Sequence, residues 1–271
     1  MSEVRDHVSL FGRRLRVIDL SSTLSNETAP FELNRHQITY VDHGKGWEML
    51  LELGYSQEMA ERMFPNRLAW AVEAVSLSSH SGTHVDAPYH YGPRMASGEQ
   101  APTIDVVPLS WCMGPGVLFD MTHKSKADGI TAADLKAALE AMSYEVQPGD
   151  IALIRTDTYK RFGEKGYELL HAGLTRDATE FLVDRGVRMI GIDAWGLDKA
   201  FDVLMKDALE GKARFWESHL LGLEKPYLQI EKLANLDQIP KPHGFVVMAL
   251  PFKIKGGSAG WTRAVALVEE D

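Results

Sequence analysis

Short runs of apolar and β-branched residues recur along this chain, and turn-forming or charged residues separate them. Runs of this length and composition are typical of β-strands. The pattern predicts eight strands, at Arg14–Leu20, Gln37–Val41, Ala71–Leu77, Gly116–Met121, Ile151–Thr156, Val187–Ile192, Phe245–Leu250 and Thr262–Val268. We therefore expect a strand-rich protein.

Helix start and stop signals lie between several of these strands. Thr131 is a predicted N-cap with Asp134 three residues later, and Thr175 precedes a segment that stops at Gly186. The signals predict four helices, at Ser56–Phe64, Ile130–Met142, Arg176–Arg185 and Asp202–Gly211. Strands with helices between them favour an α/β fold with mixed sheets and flanking helices.

The composition is that of one ordinary enzyme-sized unit. Of the 271 residues, 45% are hydrophobic and 25% are charged, which is enough apolar material for a sizeable core. No linker rich in Pro, Gly or Ser, no repeat and no low-complexity run interrupts the sequence. A single domain over residues 1–271 is therefore predicted.

Charge and cysteine content narrow the class of function. The net charge of −9 disfavours nucleic acid and anionic membranes as partners. The single cysteine, Cys112, rules out an internal disulfide framework and fits a reducing compartment. Neither the apolar core of a signal peptide nor a transmembrane run occurs in the sequence. We expect a cytoplasmic protein that acts on a small-molecule substrate.

One eleven-residue segment carries most of the candidate chemistry. His80, His84, Asp86 and His90 lie in it, close to Gly82. In a straight strand with a rise of ~3.3 Å per residue, the first histidine and the aspartate would be roughly 20 Å apart. Ligands of one zinc ion need α-carbons within about 12 Å, so a straight strand fails. Glycine, β-branched residues and Pro88 argue against a helix. A bend at the glycine followed by a short extended piece is predicted.

The residue types in this segment favour a metal site. A single histidine beside apolar residues is usually a buried, hydrogen-bonded group, but three histidines with an aspartate between them are a different case. Nitrogen and carboxylate ligands suit Zn²⁺, Mn²⁺ or Fe²⁺. The absence of thiolate ligands favours a catalytic rather than a closed structural site.

Two residues further along the chain are candidate partners for this site. His219 lies among apolar residues, and Glu231 is flanked by Ile230 and Leu233. Taken alone, they would be interpreted as a core histidine and an exposed glutamate of a helix or loop. The remaining histidines have no metal-ligand spacing and are interpreted as structural or solvated: His7, His36, His43, His123, His171 and His243.

The histidine-rich segment fits the motif HxGTHxDxPxH without departure, which is the signature of the metal-dependent cyclase-like hydrolase family. That family includes bacterial kynurenine formamidases and isatin hydrolases. The resemblance extends in the same order to Asp19-Leu20-Ser21, Gly191-Ile192-Asp193, Glu231, Asn235-Leu236, Leu250-Pro251 and Arg263-Ala264-Val265. It thus covers nearly the whole chain.

The resemblance implies a ligand set and a division of roles. In the formamidases that this chain resembles, residues matching His80, His84 and Asp86 bind one metal ion, and the aspartate bridges to a second. A downstream histidine and a glutamate twelve residues later complete the second site, which is the spacing of His219 and Glu231. The last histidine of the motif resembles a proton shuttle, here His90. Isatin hydrolases work with one manganese ion, so one or two Mn²⁺ or Zn²⁺ ions are expected.

The resemblance also implies a fold and an assembly. The family has a swivelling β/β/α domain and usually forms a homodimer, so a homodimer or higher homo-oligomer is expected. This chain is longer than the small formamidases and more similar in length to the isatin hydrolases. Aromatic residues are frequent in its additional stretch, residues 36–69, and around the later segments that resemble the family. Most aromatic residues in proteins are buried in the core, but some of these are candidates for the wall of a pocket.

These observations predict a metal-dependent hydrolase that cleaves the amide bond of a cyclic amide, an imide or an N-formyl arylamine. A lactone hydrolase with the same metal site is the nearest alternative, and a non-catalytic metal-binding protein is a further one. Catalysis by a nucleophilic serine is disfavoured because the sequence has no GxSxG motif. Ser81, Thr83 and Tyr89 are candidates for substrate contacts or for hydrogen bonds that orient the imidazoles.

Overall fold

The computed structural model describes residues 6–269. Backbone contacts divide the chain into two compact units, a larger one made of the residues up to Thr23 and from Ser79 onward, and a smaller one, Leu24–Ser78. The single domain over 1–271 stays a prediction, and its ends, residues 1–5 and 270–271, lie outside the described residues. None of the helices within residues 6–269 is long and apolar enough to cross a membrane.

The larger unit is built on one ten-stranded mixed sheet, with strand order β1-β2-β14-β12-β6-β8-β10-β11-β5-β13. Its strands are β1 (His7–Leu10), β2 (Arg13–Asp19), β5 (His84–Asp86), β6 (Met113–Asp120), β8 (Ile151–Arg155), β10 (Met189–Ile192), β11 (Leu228–Glu231), β12 (Phe245–Met248), β13 (Ala259–Trp261) and β14 (Val265–Glu269). The pairs β6/β8, β8/β10 and β10/β11 are parallel, and the other pairs are antiparallel. A second, two-stranded sheet pairs β7 (Gly129–Ile130) with β9 (Gly173–Leu174).

Both faces of the large sheet are covered by apolar side chains. Along β8, Ile151 and Leu153 belong to one buried cluster, whereas Ala152 and Ile154 belong to another. Side chains of a strand alternate between the two faces of a sheet, so each cluster lies on its own face. Burial on both faces explains why the parallel strands have continuous apolar sequences rather than alternating ones.

Helices of the larger unit flank this sheet. They are α3 (Pro88–Tyr91), α4 (Ala132–Ala141), α5 (Arg176–Val183), α6 (Phe201–Leu209) and α7 (Glu217–Glu224). At the start of α4, the side chain of Thr131 accepts a hydrogen bond from the amide of Asp134, and the Asp134 carboxylate accepts one from the amide of Thr131. This reciprocal cap is the one that the sequence predicts for α4.

The smaller unit contains a two-stranded antiparallel sheet and two helices. Its elements are β3 (Gln37–Val41), β4 (Val72–Ser76), α1 (His43–Glu52) and α2 (Gln57–Met63). Trp47, Leu50, Ala60 and Ala69 form its small core. A Cβ atom on Gly46 would lie 2.0 Å from the backbone oxygen of Trp70, so close packing of α1 against that backbone requires glycine at this position.

The predicted class is confirmed: the fold is α/β, with a large mixed sheet and flanking helices. All eight predicted strands and all four predicted helices are present, with ends that differ by a few residues. Three elements that carry site residues, α3, α7 and β11, were not predicted, whereas β5 corresponds to the predicted short extended piece. The aromatic residues are only partly core, since Phe201 is 47% exposed.

Candidate metal centre

The backbone of the histidine-rich segment bends where the sequence predicts it. Gly82 has a φ of +62°, in the left-handed region that favours glycine. The chain then enters β5, so His84 and Asp86 lie on one face of the sheet and Val85 lies on the other, in the apolar core. The segment is therefore a bend followed by a strand, as predicted, and then the short helix α3.

The pairing of β5 with β11 brings Glu231 to the same place. In this antiparallel pair, Glu231 lies opposite His84, and residues opposite each other have neighbouring side chains on one face. Oε2 of Glu231 lies 3.7 Å from Nε2 of His84. Glu231 is 8% exposed, so its interpretation as an exposed glutamate is wrong. Its Oε1 accepts a hydrogen bond from the amide of Leu197 at 3.1 Å.

His80, His84 and Asp86 form a compact group of potential ligands. The carboxylate Oδ1 of Asp86 lies 2.9 Å from Nδ1 of His80 and 3.3 Å from Nε2 of His84. One potential ligand atom from each residue lies within 4.8 Å of the other two. Asp86 and His84 are 0% and 1% exposed, whereas the His80 side chain is 26% exposed. One edge of the group is thus open to solvent.

A second group shares Asp86 with the first. Potential ligand atoms of Asp86, His90 and His219 also lie within 4.8 Å of one another. His219 comes from α7, and its Nε2 lies 3.7 Å from Oε1 of Glu231. The structure thus brings together all six residues singled out in the sequence, while their roles as ligands or proton carrier stay predictions. Within residues 6–269, neither group includes any of the other six histidines.

Three of the four imidazoles are oriented by a hydrogen bond at the nitrogen that points away from the cluster. His84 Nδ1 donates to the backbone oxygen of Gly82 at 2.8 Å, which leaves Nε2 for the cluster. His80 Nε2 is 3.0 Å from Oγ of Ser258, and His219 Nδ1 donates to Oδ2 of Asp198 at 2.5 Å. Histidines that bind metals are usually held in this way.

His90 differs from these three rings. Its side chain makes no hydrogen bond to any part of the chain between residues 6 and 269. Ring contacts surround it instead, with centroid distances of 4.2 Å to His80, 5.6 Å to His219 and 5.3 Å to Trp216. Its position in the cluster is therefore set by packing and not by a hydrogen bond.

Several buried polar atoms in the cluster lack a partner. Among the described residues, Nε2 of His84 and both carboxylate oxygens of Asp86 are buried and make no hydrogen bond of good geometry, although Oδ1 of Asp86 lies 2.9 Å from Nδ1 of His80. Buried polar atoms are nearly always hydrogen-bonded, so an unsatisfied set pointing at one spot requires an explanation. Carboxylate oxygens and imidazole nitrogens are ligand atoms that divalent ions prefer, so these residues fit a bound metal.

The electrostatics of the cluster also favour a cation. Burial alone would raise the pKa of Asp86, but the neighbouring imidazoles of His84 and His90 hold it well below its usual value. Burial raises the pKa of Glu231, and the nearby Asp86 carboxylate raises it further. Burial lowers the pKa of His90 to about 4. The cluster therefore surrounds an ionised, fully buried carboxylate, which is costly without a positive partner.

Two buried residues that hydrogen-bond to predicted site residues were missed in the sequence. Asp198, which is buried, orients His219 from 21 positions away. Lys232 is also buried and donates from Nζ to the backbone oxygen of His80 at 2.9 Å. Neither position has a spacing that relates it to the histidine segment, so no sequence signal pointed to them.

The hydroxyl groups beside the ligand positions divide into distinct cases. Thr83 Oγ1 donates to the backbone oxygen of Lys232 at 2.6 Å and accepts from the amide of Ser22 at 2.8 Å, so it connects three segments behind the site. Ser81 is buried, and its hydroxyl makes no hydrogen bond to the described residues. Tyr89 is exposed.

Comparison with known proteins finds relatives among named hydrolases and formamidases. The family model Cyclase, described as "Putative cyclase", matches residues 18–199. An isatin hydrolase of Roseibium aggregatum is 32% identical over 204 residues, which are 71% of this chain and 73% of that protein. A kynurenine formamidase of Paracidovorax citrulli is 28% identical over 220 residues, or 78% of this chain and 86% of that protein.

Solved structures show the same fold. An isatin hydrolase bound to the product analogue thioisatinate matches with a TM-score of 0.71 and 26% identity, over 94% of this chain and 93% of that chain. Isatin hydrolase A from Ralstonia solanacearum matches with a TM-score of 0.70 and 26% identity, over 94% and 92%. The likeness therefore extends over nearly the whole length of both chains.

Proposed function

The chain belongs to the cyclase family of metal-dependent amide hydrolases, and we propose that its substrate is a cyclic amide or imide, or an N-formyl arylamine. The observation that carries the proposal is the convergence of three oriented imidazoles on Asp86, a buried carboxylate whose two oxygens have no hydrogen-bond partner among the described residues. Such a set is suited to hold a catalytic divalent ion.

The ligand residues have distinct roles in this proposal. His80, His84 and Asp86 would hold one ion, and Asp86, His219 and Glu231 would hold a second. A bound divalent ion supplies Lewis acidity and lowers the pKa of a coordinated water towards about 7. The native metal is proposed to be Mn²⁺ or Zn²⁺, since both accept imidazole and carboxylate ligands.

His90 is proposed to carry the proton that the leaving nitrogen needs. Its ring lies between the rings of His80 and His219, so it borders both ligand groups. The other three imidazoles each have one nitrogen engaged in a hydrogen bond, whereas the His90 ring has none within residues 6–269. Since no hydrogen bond within the described residues engages either ring nitrogen, the ring can accept a proton from one group and donate it to another, which is the task of a general acid or base.

The aromatic residues beside the cluster support a planar aromatic substrate. Trp216 contacts both His90 and His219, and Phe215 packs beside it with a centroid distance of 5.9 Å. Phe201 continues this row at 5.1 Å from Phe215 and is exposed. Sites for small organic ligands are commonly lined by aromatic and apolar side chains. The relatives named for isatin and kynurenine fit the same chemistry.

We also propose that the protein works in the cytoplasm as a homodimer or higher homo-oligomer. The smaller unit supports this proposal, because it exposes many large apolar side chains, among them Tyr40, Met59, Leu68, Trp70, Val72 and Val75. Exposed apolar groups of this number often mark a protein interface. Light scattering of the purified protein measures its mass directly, and a monomer at micromolar concentration would contradict the proposal.

Elemental analysis combined with a substrate panel tests the function. The panel contains isatin, N-formylkynurenine, a cyclic imide, and a lactone and lactam of equal ring size. We expect bound manganese or zinc, loss of activity with a chelator, and turnover of an amide in preference to the matched lactone. Preference for the lactone would instead indicate a lactone hydrolase that uses the same metal site to cleave an ester bond. A protein without bound metal, and with no activity after Mn²⁺ or Zn²⁺ is added, would overturn the proposal.

A further inference from the structure

Trp216 has an unusual backbone conformation next to the cluster. Its φ and ψ are 63° and 45°, in the left-handed region that L-residues with large side chains rarely adopt. It also occupies the N-cap position of α7, where Ser, Thr, Asp or Asn with extended backbone is usual, and its side chain makes no capping hydrogen bond. Strained residues of this kind concentrate at functional sites, so the position requires a functional explanation.

The N-terminus of α7 is capped from another segment. Oδ1 of Asp198 accepts from the amide of Ser218 at 2.9 Å, and Oδ2 accepts from the amide of His219 at 3.2 Å. The same Oδ2 accepts from Nδ1 of His219. One buried carboxylate thus supplies the cap and orients the imidazole. The residue at the N-cap position is therefore not needed to satisfy the helix.

The side chain of Trp216 lies flat on the ring of His219. The two ring centroids are 4.3 Å apart, and the planes differ by 10°. The same indole meets the ring of His90 edge to face, at 5.3 Å and 66°. These contacts link the ring of a predicted ligand with the ring of the predicted proton carrier. At the start of α7, the left-handed backbone of Trp216 thus coincides with an indole placed against both rings.

The two contacts of His219 restrict different motions. A hydrogen bond at Nδ1 sets the tautomer and anchors one side of the ring, but the ring can still swing about that anchor. A stacked plane on the face of the ring opposes that swing. Together, Asp198 and Trp216 define where Nε2 points, which is towards Glu231 at 3.7 Å.

We propose that Trp216 is a positioning residue: its indole fixes the plane of the His219 ring, and its left-handed backbone is retained for that purpose. The inference rests on the proposed function, because it presumes that His219 serves the metal centre. It goes beyond that function in assigning to Trp216 an effect on metal affinity that acts through another residue.

Two substitutions separate a planar contact from simple burial. Trp216→Phe keeps a flat ring, whereas Trp216→Leu keeps apolar bulk without a plane, and both retain the Cβ atom that makes the left-handed backbone unfavourable. Each metal-stripped variant is titrated with Mn²⁺ and with Zn²⁺ in competition with a chelator, and its melting temperature is measured. If Trp216→Leu does not fold, Trp216→Met takes its place as the variant with an apolar side chain that has no flat ring.

We expect Trp216→Leu to bind metal about tenfold or more weakly than Trp216→Phe, which is the usual effect of losing a group that orients a ligand. Trp216→Gly relieves the backbone and removes the ring, and we expect the same loss of affinity. Ser143→Gly is the matched control, since Ser143 is also left-handed but exposed at the end of α4. It should raise the melting temperature by roughly 2–4 °C and leave metal affinity unchanged.

Equal metal affinity of the Leu and Phe variants at similar melting temperatures would overturn the inference, as would full affinity in Trp216→Gly. Failure of the proposed function has a different result, because the unsubstituted protein would then bind neither Mn²⁺ nor Zn²⁺. The metal titration of the unsubstituted protein therefore distinguishes the two.

Discussion

Two regions supply the candidate site, and they are organised in different ways. The first is the contiguous segment from His80 to His90, in which one bend and one strand place the side chains. The second is dispersed: Asp198 follows β10, His219 lies in α7, and Glu231 ends β11. Local backbone geometry is sufficient to build the first region, whereas the second exists only when three elements have packed together.

The contrast has a physical basis in strand periodicity. His84 and Asp86 share a face because side chains two apart along a strand always do. His219 and Glu231 meet because β11 pairs with β5 in one register and because Asp198 holds the start of α7. A change in the first region should therefore affect the site directly, and a change in the second should act through orientation.

Replacement of Asp86 or His84 by alanine should have the largest effect, because both are central to the contiguous region. We expect bound metal and activity to fall together, by more than the ~10–100-fold that is typical of residues that only orient ligands. Elemental analysis and kcat/KM on the same preparations measure both quantities. His123→Ala is the matched control, since His123 is exposed and outside the cluster. Full metal occupancy in Asp86→Ala and His84→Ala would remove the basis of the comparison.

The fold could be predicted well wherever local pattern agrees with packing. Gln37–Val41 was predicted with the bounds that the structure has, and the capping pair of Thr131 and Asp134 was predicted for α4. In the site, the bend at Gly82 and the short extended piece after it followed from ligand distances and residue types alone. These predictions required no knowledge of the rest of the chain.

The remaining elements could not be predicted because tertiary contacts override local preference. Helix α7 contains Gly222, a poor helix former, and a Cβ atom there would lie 2.4 Å from the ring of Tyr91. Strand β11 has only four residues, all of them buried, which are too few to show a periodic pattern. Glu231 is an ionisable residue in this buried strand, so the local sequence does not show the continuous apolar run that is typical of a buried strand.

His90 belongs to the contiguous region, yet it lacks the hydrogen bond that orients the other rings, so its replacement sharpens the comparison. As a proton carrier, His90→Asn should retain its metal while kcat falls about 10²–10⁴-fold with little change in KM. Metal content and the two kinetic constants are measured together. Loss of metal in parallel with activity would make His90 a ligand, which the grouping of its ring with Asp86 and His219 also permits.

Asp198→Asn tests the dispersed region and should have a smaller effect than Asp86→Ala. The amide group is nearly the same size but has only one acceptor oxygen, so it cannot accept from both the amide of Ser218 and Nδ1 of His219, and the hold on the ring is weakened. We expect metal affinity or kcat to fall by about 10–100-fold. A chelator titration and steady-state kinetics report the two values. Unchanged values in a folded protein would show that this hydrogen bond does not prepare His219 for the site.

Thr131→Ala should have the smallest effect and separates a lost helix cap from a lost orientation. Thr131 caps α4 as Asp198 caps α7, but within residues 6–269 the Thr131 hydroxyl bonds only to Asp134. Its removal should lower the free energy of unfolding by about 1 kcal/mol, measured by chemical denaturation. Metal content and kcat/KM should not change, because the bonding partner of the Thr131 hydroxyl, Asp134, is not a residue of the cluster. If Thr131→Ala weakened metal binding as much as Asp198→Asn, general loss of stability would account for both, and the dispersed region would have no specific role in orientation.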